Sequence, residues 1–319
     1  MKTSTDSINV YASATVANVA CGFDSLGFAI NEPGDEVALQ RNDSGVVRVT
    51  KITGDNGRLP LESHKNTASV AVLTMMDELK RRGDDTSAAG FDIQIKKMMP
   101  LGSGLGSSAA SSVAAVVGAN ALLGEPFTRK ELLPFVMQSE KIACGAAHAD
   151  NVAPALLGGF VLVRSYDPLD VVQLHVPDDL WCAVVHPHIE LLTEDARKIL
   201  KKNIRLDDAV IQWSNLAGLI TGLMKEDYDL IGRSLDDIIF EPVRSLLIPG
   251  FDAVKGDALK AGALGCSISG SGPSIFALCR GEENARAVGK SMEKAFVPYQ
   301  LGTDLYISKV NHVGPRTVA

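Results

Sequence analysis

The residues best placed by type and spacing to do chemistry form one short run, Pro100-Leu101-Gly102-Ser103-Gly104-Leu105-Gly106-Ser107-Ser108-Ala109-Ala110. Three glycines in five positions let a backbone approach a ligand closely and take positive φ. An alternating strand pattern at 91–96 precedes the run, and an unbroken small-residue helical pattern at 105–123 follows it. Successive amides ahead of a helix N-terminus form a concavity for an anion. Ser107 and Ser108 add hydroxyls in the first helical turn, as donors or as metal ligands. The chemistry indicated is phosphate binding, although glycines alone would also serve a ligand-free turn. A Walker A loop is excluded because no Lys follows Gly106, and Gly289-Lys290-Ser291 has Asn284 where that motif needs its first glycine. The dinucleotide pattern fails at Ser107, where its third glycine belongs, and no serine sits in a G-x-S-x-G elbow.

A second small-residue run, Gly265-Cys266-Ser267-Ile268-Ser269-Gly270-Ser271-Gly272-Pro273-Ser274, lies between two apolar strand patterns. A hairpin needs only two turn residues, so the excess of small side chains implies that something packs closely against this turn. His186 and His188 look like a metal pair only superficially, since no third ligand of suitable spacing accompanies them, and a structural role is expected. Cys21, Cys144, Cys182, Cys266 and Cys279 are odd in number and widely spaced without a C-x-x-C, which points to buried, reduced thiols in a cytoplasmic protein. Val19-Ala20-Cys21 faintly resembles a lipoprotein cleavage box, but the polar residues before it, Ser4 to Asn9, do not form an apolar signal core.

The elements that must position these residues belong to a chain of 319 residues, 46% apolar and 22% charged, with a net charge of −7. That length suits two domains, and the composition excludes wholesale disorder. The acidic balance argues against a nucleic-acid or membrane-surface partner, and no apolar run is long enough to span a bilayer. Strand, tight turn and strand are expected over 8–30, with a further strand at 46–52. Asn66 should cap a helix that runs to Arg82 and closes at Gly83. Thr128 and Glu131 have capping-box spacing, and Pro134 implies either a kink or a helix start near it. Paired strands are expected at 158–165 and 171–176. Beyond residue 177 the order reads strand, helices, strand, strand, helix, strand, which suits helices layered on an antiparallel sheet. The expected division is therefore 1–177 and 178–319.

Pro100 to Ala110 resembles the P-x-x-x-G-L-G-S-S-A-A signature of the GHMP small-molecule kinases, and the second glycine cluster resembles the third motif of that superfamily. Within it the sequence is most similar to the homoserine kinase family. The resemblance rests on the block Asn18 to Gly27, on Glu140 with His148-Ala149-Asp150-Asn151, on Thr193 to Arg197, and on Glu241 to Phe251. It implies an α+β fold of two domains, an N-terminal ATP-binding domain of the ribosomal-S5-domain-2 type and a C-terminal ferredoxin-like sandwich. It implies ATP-dependent phosphorylation of the side-chain hydroxyl of L-homoserine, a step toward threonine. Residues 100–108 would hold the ATP phosphates, and Ser108 and Glu140 would hold Mg²⁺. Asp24 would take the substrate's ammonium, and Arg197 and Arg244 its carboxylate. His148, Thr193 and Gly270 would complete the substrate pocket. Asn18, Asp150 and Asn151 would surround the hydroxyl and amine, with Asp150 as either a proton acceptor or a positioning group. Family members often form homodimers, but no stripe in this sequence marks an interface. Cys21 stands where the family carries variable small residues; both a packed thiol and one open to thiol reagents remain compatible. Another kinase of the superfamily is one alternative, yet the mevalonate branch carries an N-terminal basic residue and 13–27 has none. A non-catalytic nucleotide-binding regulator is the other.

Overall fold

The computed structural model describes residues 6–145 and 147–318, excluding the side chains of Ala143 and Cys144. The first half of the chain builds a mixed sheet from β1 (Ser7–Val19), β2 (Gly22–Asn42), β3 (Val47–Thr53), β4 (Gly90–Lys96), β5 (Phe160–Tyr166) and β6 (Leu169–Leu174). Strand order is β11-β1-β2-β4-β3, with β11 (Arg316–Val318) contributed by the chain terminus, while β5 pairs with both β2 and β6. All pairings are antiparallel except β3 with β4. Helices α1 (Thr67–Arg82), α2 (Ser107–Leu122), α3 (Leu133–Cys144) and α4 (Ala149–Leu157) cover this sheet. α2 and α4 rest on β1 and β2, and α1 packs on α2 and α3.

The small residues of α2 explain its position. Ala109, Ala110, Ser111, Ser112, Ala114, Ala115 and Ala119 are all buried, so the helix is enclosed on every side and lies close to the sheet. A Cβ on Gly118 would meet Leu39 Cδ1 at 2.4 Å. Asn66 caps α1 by accepting from the Ala68 amide, and Gly83 ends that helix in the left-handed region at φ 72°. The Thr128–Glu131 box forms but opens a short 3-10 turn; Pro134 then sits in the first turn of α3, where its missing N–H costs nothing.

The second half contains β7 (Leu180–Pro187), α5 (Thr193–Lys198), α6 (Leu206–Lys225), α7 (Tyr228–Ser234), α8 (Glu241–Arg244), α9 (Phe251–Lys260), β8 (Gly265–Ile268), β9 (Ile275–Arg280), α10 (Glu282–Phe296) and β10 (Thr303–Lys309). Its antiparallel sheet has the order β10-β7-β9-β8, which is the ferredoxin-like arrangement. β7 shows a period of two: Ala183 and Val185 face a core with α9 and α10, while Cys182 and Val184 belong to the core of the first sheet. Phe276 reaches that first core as well and meets Phe28 edge-on at 5.9 Å between ring centroids. The two layers therefore share apolar packing.

Three features lay outside the sequence reading. β2 continues well past residue 30. Residues 149–157 are helical despite Pro154. The chain terminus returns to the first sheet, where β11 pairs with β1 and Asn311 donates to Ser13 Oγ at 2.6 Å.

Candidate functional site

The glycine run connects β4 to α2. Gly106 occupies the N-cap of α2 at φ 67°, and a Cβ there would lie 2.1 Å from Thr15 Oγ1. Gly104 has φ 76°, and its Cβ would meet Ser269 O at 2.4 Å and Gly272 O at 2.7 Å. The second glycine cluster is thus what packs against the first. Ser269 Oγ donates to Gly104 O at 2.8 Å, the Ser274 amide to Ser103 O at 3.2 Å, and the Gly270 amide to Ala17 O at 2.9 Å. β1 fixes the other side: the Thr15 amide donates to Leu105 O at 3.0 Å and Thr15 Oγ1 to Asn151 Oδ1 at 2.8 Å.

Beneath the run lies a buried ion pair that no sequence motif disclosed. Lys97 pairs with Asp35 and donates to Ser107 O at 2.8 Å and Ser111 Oγ at 2.7 Å. The Asp35 carboxylate also accepts from the Met98 amide and the Ser107 hydroxyl. Strand β2, the start of the loop and the first turn of α2 are thereby tied at one point.

Above the loop is a cavity of about 560 Å³. Leu101 to Ser108 line it, as do Asn18, Glu140, His148, Asn151, Thr193, Arg197, Arg244 and Gly270. Pro100, Asp24 and Asp150 do not line it. Sequence reading missed Phe23, Arg58, Lys65, Lys97 and Glu190, which do. At one side Ser108 Oγ donates to Glu140 Oε1 at 2.7 Å. These oxygens suit a hard cation that takes its remaining ligands from phosphate and water. Among the described residues no cluster of three His, Cys, Asp or Glu side chains forms a fuller metal site.

At the opposite side Asp24 and Arg197 form an ion pair at 2.7 Å. Arg244 is buried and donates to Gly270 O. Both guanidiniums lie near the Phe23 ring, at 5.8 Å and 5.6 Å from its centroid, and Phe23 stacks on Phe240. The turn carrying Asp24 is held from two directions. Its amide donates to Asn18 Oδ1 at 2.8 Å, and Tyr166 Oη donates to its carbonyl at 3.0 Å. Asn18 and Asp24 both have positive φ, a conformation that Asn and Asp tolerate better than most residues. Asn18 Nδ2 donates to Gly270 O at 2.9 Å, joining the two halves of the chain at the site.

Ser103 Oγ, His148 Nε2, Asp150 Oδ1 and Arg244 Nε are buried without a hydrogen-bond partner among the described residues. All four belong to residues at or directly behind the cavity, as expected of polar groups that serve a ligand. Burial, reinforced by the Asp24 carboxylate, pushes the Asp150 carboxyl up to about 7. Its other oxygen accepts from the Asn18 amide at 3.1 Å. Burial and the nearby Arg197 lower His148, which keeps the imidazole neutral. Burial lowers Arg244 to about 10, so its charge persists at neutral pH.

The remaining candidates are placed elsewhere. Cys21 is buried and donates to Ser234 O at 3.3 Å, and burial pushes its thiol up to about 12, so reagent sensitivity through Cys21 is set aside. Cys182, Cys266 and Cys279 are buried and free, while the Cys144 side chain lies outside the described residues. His186 is buried against Ser274 Oγ and lowered by burial to about 4, and His188 faces Asp304. Among the described residues neither belongs to a group of three or more His, Cys, Asp or Glu side chains that could hold a metal ion.

Known proteins resemble this chain over nearly its whole length. The GHMP kinase N-terminal domain model matches residues 66–159, and the GHMP kinase C-terminal model matches 219–298. A homoserine kinase of Chloroherpeton thalassium is 51% identical over 311 residues, covering 96% of this chain and 98% of that protein. A homoserine kinase of Xylella fastidiosa is 39% identical, covering 96% and 92%. The crystal structure of a homoserine kinase from Cytophaga hutchinsonii superposes with a TM-score of 0.95 at 57% identity, covering 100% of this chain and 99% of that one. The chain belongs to the homoserine kinase family. It is a kinase with the α+β, two-domain GHMP fold that the motifs implied. The L. major mevalonate kinase, at 18% identity and a TM-score of 0.69, shares the fold alone. No helix among the described residues is long and apolar enough to cross a membrane.

Proposed function

We propose that this kinase transfers the γ-phosphoryl group of ATP to the side-chain hydroxyl of L-homoserine, giving O-phospho-L-homoserine and ADP in the cytoplasm on the way to threonine. The observation that carries this reading is the charge set of the cavity. Arg197 and Arg244 line the same cavity as the glycine loop, and Asp24, just outside the lining, is paired with Arg197. A zwitterion brings its own cation and anion, so the Asp24–Arg197 pair can open with each partner taking the opposite charge of the ligand. Arg244 Nε adds a buried donor for the carboxylate. His148, Thr193, Gly270 and Asn151 enclose the carbon chain, with the hydroxyl directed toward the loop.

The amides of residues 102–108 hold the phosphates. Ser108 and Glu140 are the residues that would hold Mg²⁺, and the ion, when bound, neutralises charge on the phosphates. The hydroxyl oxygen forms the new O–P bond, the bond to the β–γ bridging oxygen breaks, and the hydroxyl proton passes to solvent. Asp150 is read as a positioning residue. It is 1% exposed, it does not line the cavity, and it holds the Asn18 amide. A loose transition state does not require a strong base.

A coupled ADP-release assay with L-homoserine, L-serine, L-threonine, mevalonate and galactose tests the assignment. Turnover on L-homoserine alone, lost in Glu140→Ala and Arg244→Ala, is expected. Turnover on mevalonate or a sugar overturns the acceptor, and ATP binding without turnover on any acceptor overturns the activity.

A further inference from the structure

An ion pair at the rim of the cavity plays no part in the reaction described above. Arg58 lies on the segment 54–66 between β3 and α1, and Glu190 lies on the segment between β7 and α5. Their side chains meet at 2.5 Å, with Arg58 51% and Glu190 39% exposed. Both line the same cavity as the glycine loop. The Glu190 side chain lies directly on that loop: a Cβ on Gly102 would stand 2.7 Å from Glu190 Cγ and 3.1 Å from its Oε1. A carboxylate thus occupies space beside the first glycine of an anion-binding loop, held there by a guanidinium.

The other cations lining the cavity are differently engaged. Lys97 is bound to Asp35, Ser107 O and Ser111 Oγ. Arg197 is bound to Asp24 and Arg244 to Gly270 O, on the acceptor side. Lys65 is 3.8 Å from Glu62 and well exposed. Among the described cations that line the cavity, Arg58 is the one whose partner is an exposed carboxylate lying on the glycine loop.

We propose that Arg58 is a nucleotide-phosphate ligand held in reserve by Glu190. The polyphosphate of the nucleotide displaces the Glu190 carboxylate, and the freed guanidinium pairs with phosphate oxygens. An exposed ion pair is weak. A polyphosphate carries more charge than a carboxylate and matches the guanidinium fork in two-point contact. The exchange therefore runs toward the nucleotide. It rests on the ATP-binding reading above.

The test is the ATP dissociation constant of the full-length chain, measured by calorimetry without acceptor at fixed ionic strength. Arg58→Ala is expected to weaken ATP roughly tenfold, as for a lost charge-assisted contact at a half-exposed site. Glu190→Gln is expected to tighten ATP about threefold, because a competing anion is removed. Both variants should keep the KM for L-homoserine and the melting temperature, since both side chains are half exposed. The opposite signs are diagnostic. If the pair were only a strap between two segments, both substitutions would weaken ATP together, and that result overturns the proposal. So does an unchanged ATP affinity in either variant. Failure of the unaltered chain to bind ATP is a separate result, which removes the proposed function and this exchange with it.

Discussion

Asp150 shows how environment decides a role. Full burial and the Asp24 carboxylate push its carboxyl up to about 7, while its ordinary value is 3.8. Because the folded state holds this proton to higher pH than the unfolded chain, ionisation works against the fold. The stability present below about pH 4 declines as the pH rises through about 7. Asp150→Asn removes that titration, so its melting temperature relative to the unaltered chain should rise between pH 5 and pH 8. The same variant keeps the acceptor for the Asn18 amide, and kcat should fall by about tenfold or less; a loss of roughly a thousandfold would instead mark a general base. Asp24, Arg197 and Arg244 were proposed for a zwitterion through the family resemblance, and their mutual arrangement was not legible. Pairing between residues 24 and 197 depends on long-range folding, and so does the placing of the Phe23 ring near two guanidiniums.

At the scale of elements, the glycine loop was the most legible part of the molecule. Its strand, its turn and its helix follow from local pattern, and the helix cap at Asn66 and stop at Gly83 likewise came from local rules. The packing of the second cluster on the first was expected only as a close neighbour of unknown identity. The structure supplies the partner: the Gly104 backbone faces Ser269 and Gly272. Gly104→Ala should therefore cost about 2 kcal/mol or more in stability, from positive φ and from a Cβ forced onto backbone oxygen. It should also raise the KM for ATP; a variant as stable and as active as the unaltered chain would contradict this packing. Helix α4 was missed because His148 gives no side-chain cap and Pro154 argues against a helix. The Lys97–Asp35 pair was missed because Asp35 lies within β2 and Lys97 just after β4, with no shared motif.

At the scale of the whole molecule, the two layers are coupled. Phe276 and Leu278 from the second sheet enter the core of the first, and β11 brings the terminus back to β1. Thermal unfolding is therefore expected as one cooperative transition. Phe276→Ala, which empties a fully buried site touching Phe28, should lower stability by about 3–5 kcal/mol while keeping a single transition. Two resolved transitions, with only one moved by the substitution, would contradict shared packing. The sequence reading placed a break at 177 from a change of pattern, but it could not see that strands on both sides would contribute to one core.

In the proposed reaction, opposed charges read a zwitterion and so direct its hydroxyl to the phosphate loop. The most direct measurement is product-resolved phosphorylation of L-homoserine beside 4-hydroxybutyrate, which lacks the ammonium, and 3-aminopropan-1-ol, which lacks the carboxylate. The expected result is O-phospho-L-homoserine with kcat/KM exceeding that of either analogue by roughly a hundredfold or more, because each analogue leaves a charged group of the site unpaired. Comparable phosphorylation of all three would show that Asp24, Arg197 and Arg244 do not select the acceptor, and the site as described here would be wrong.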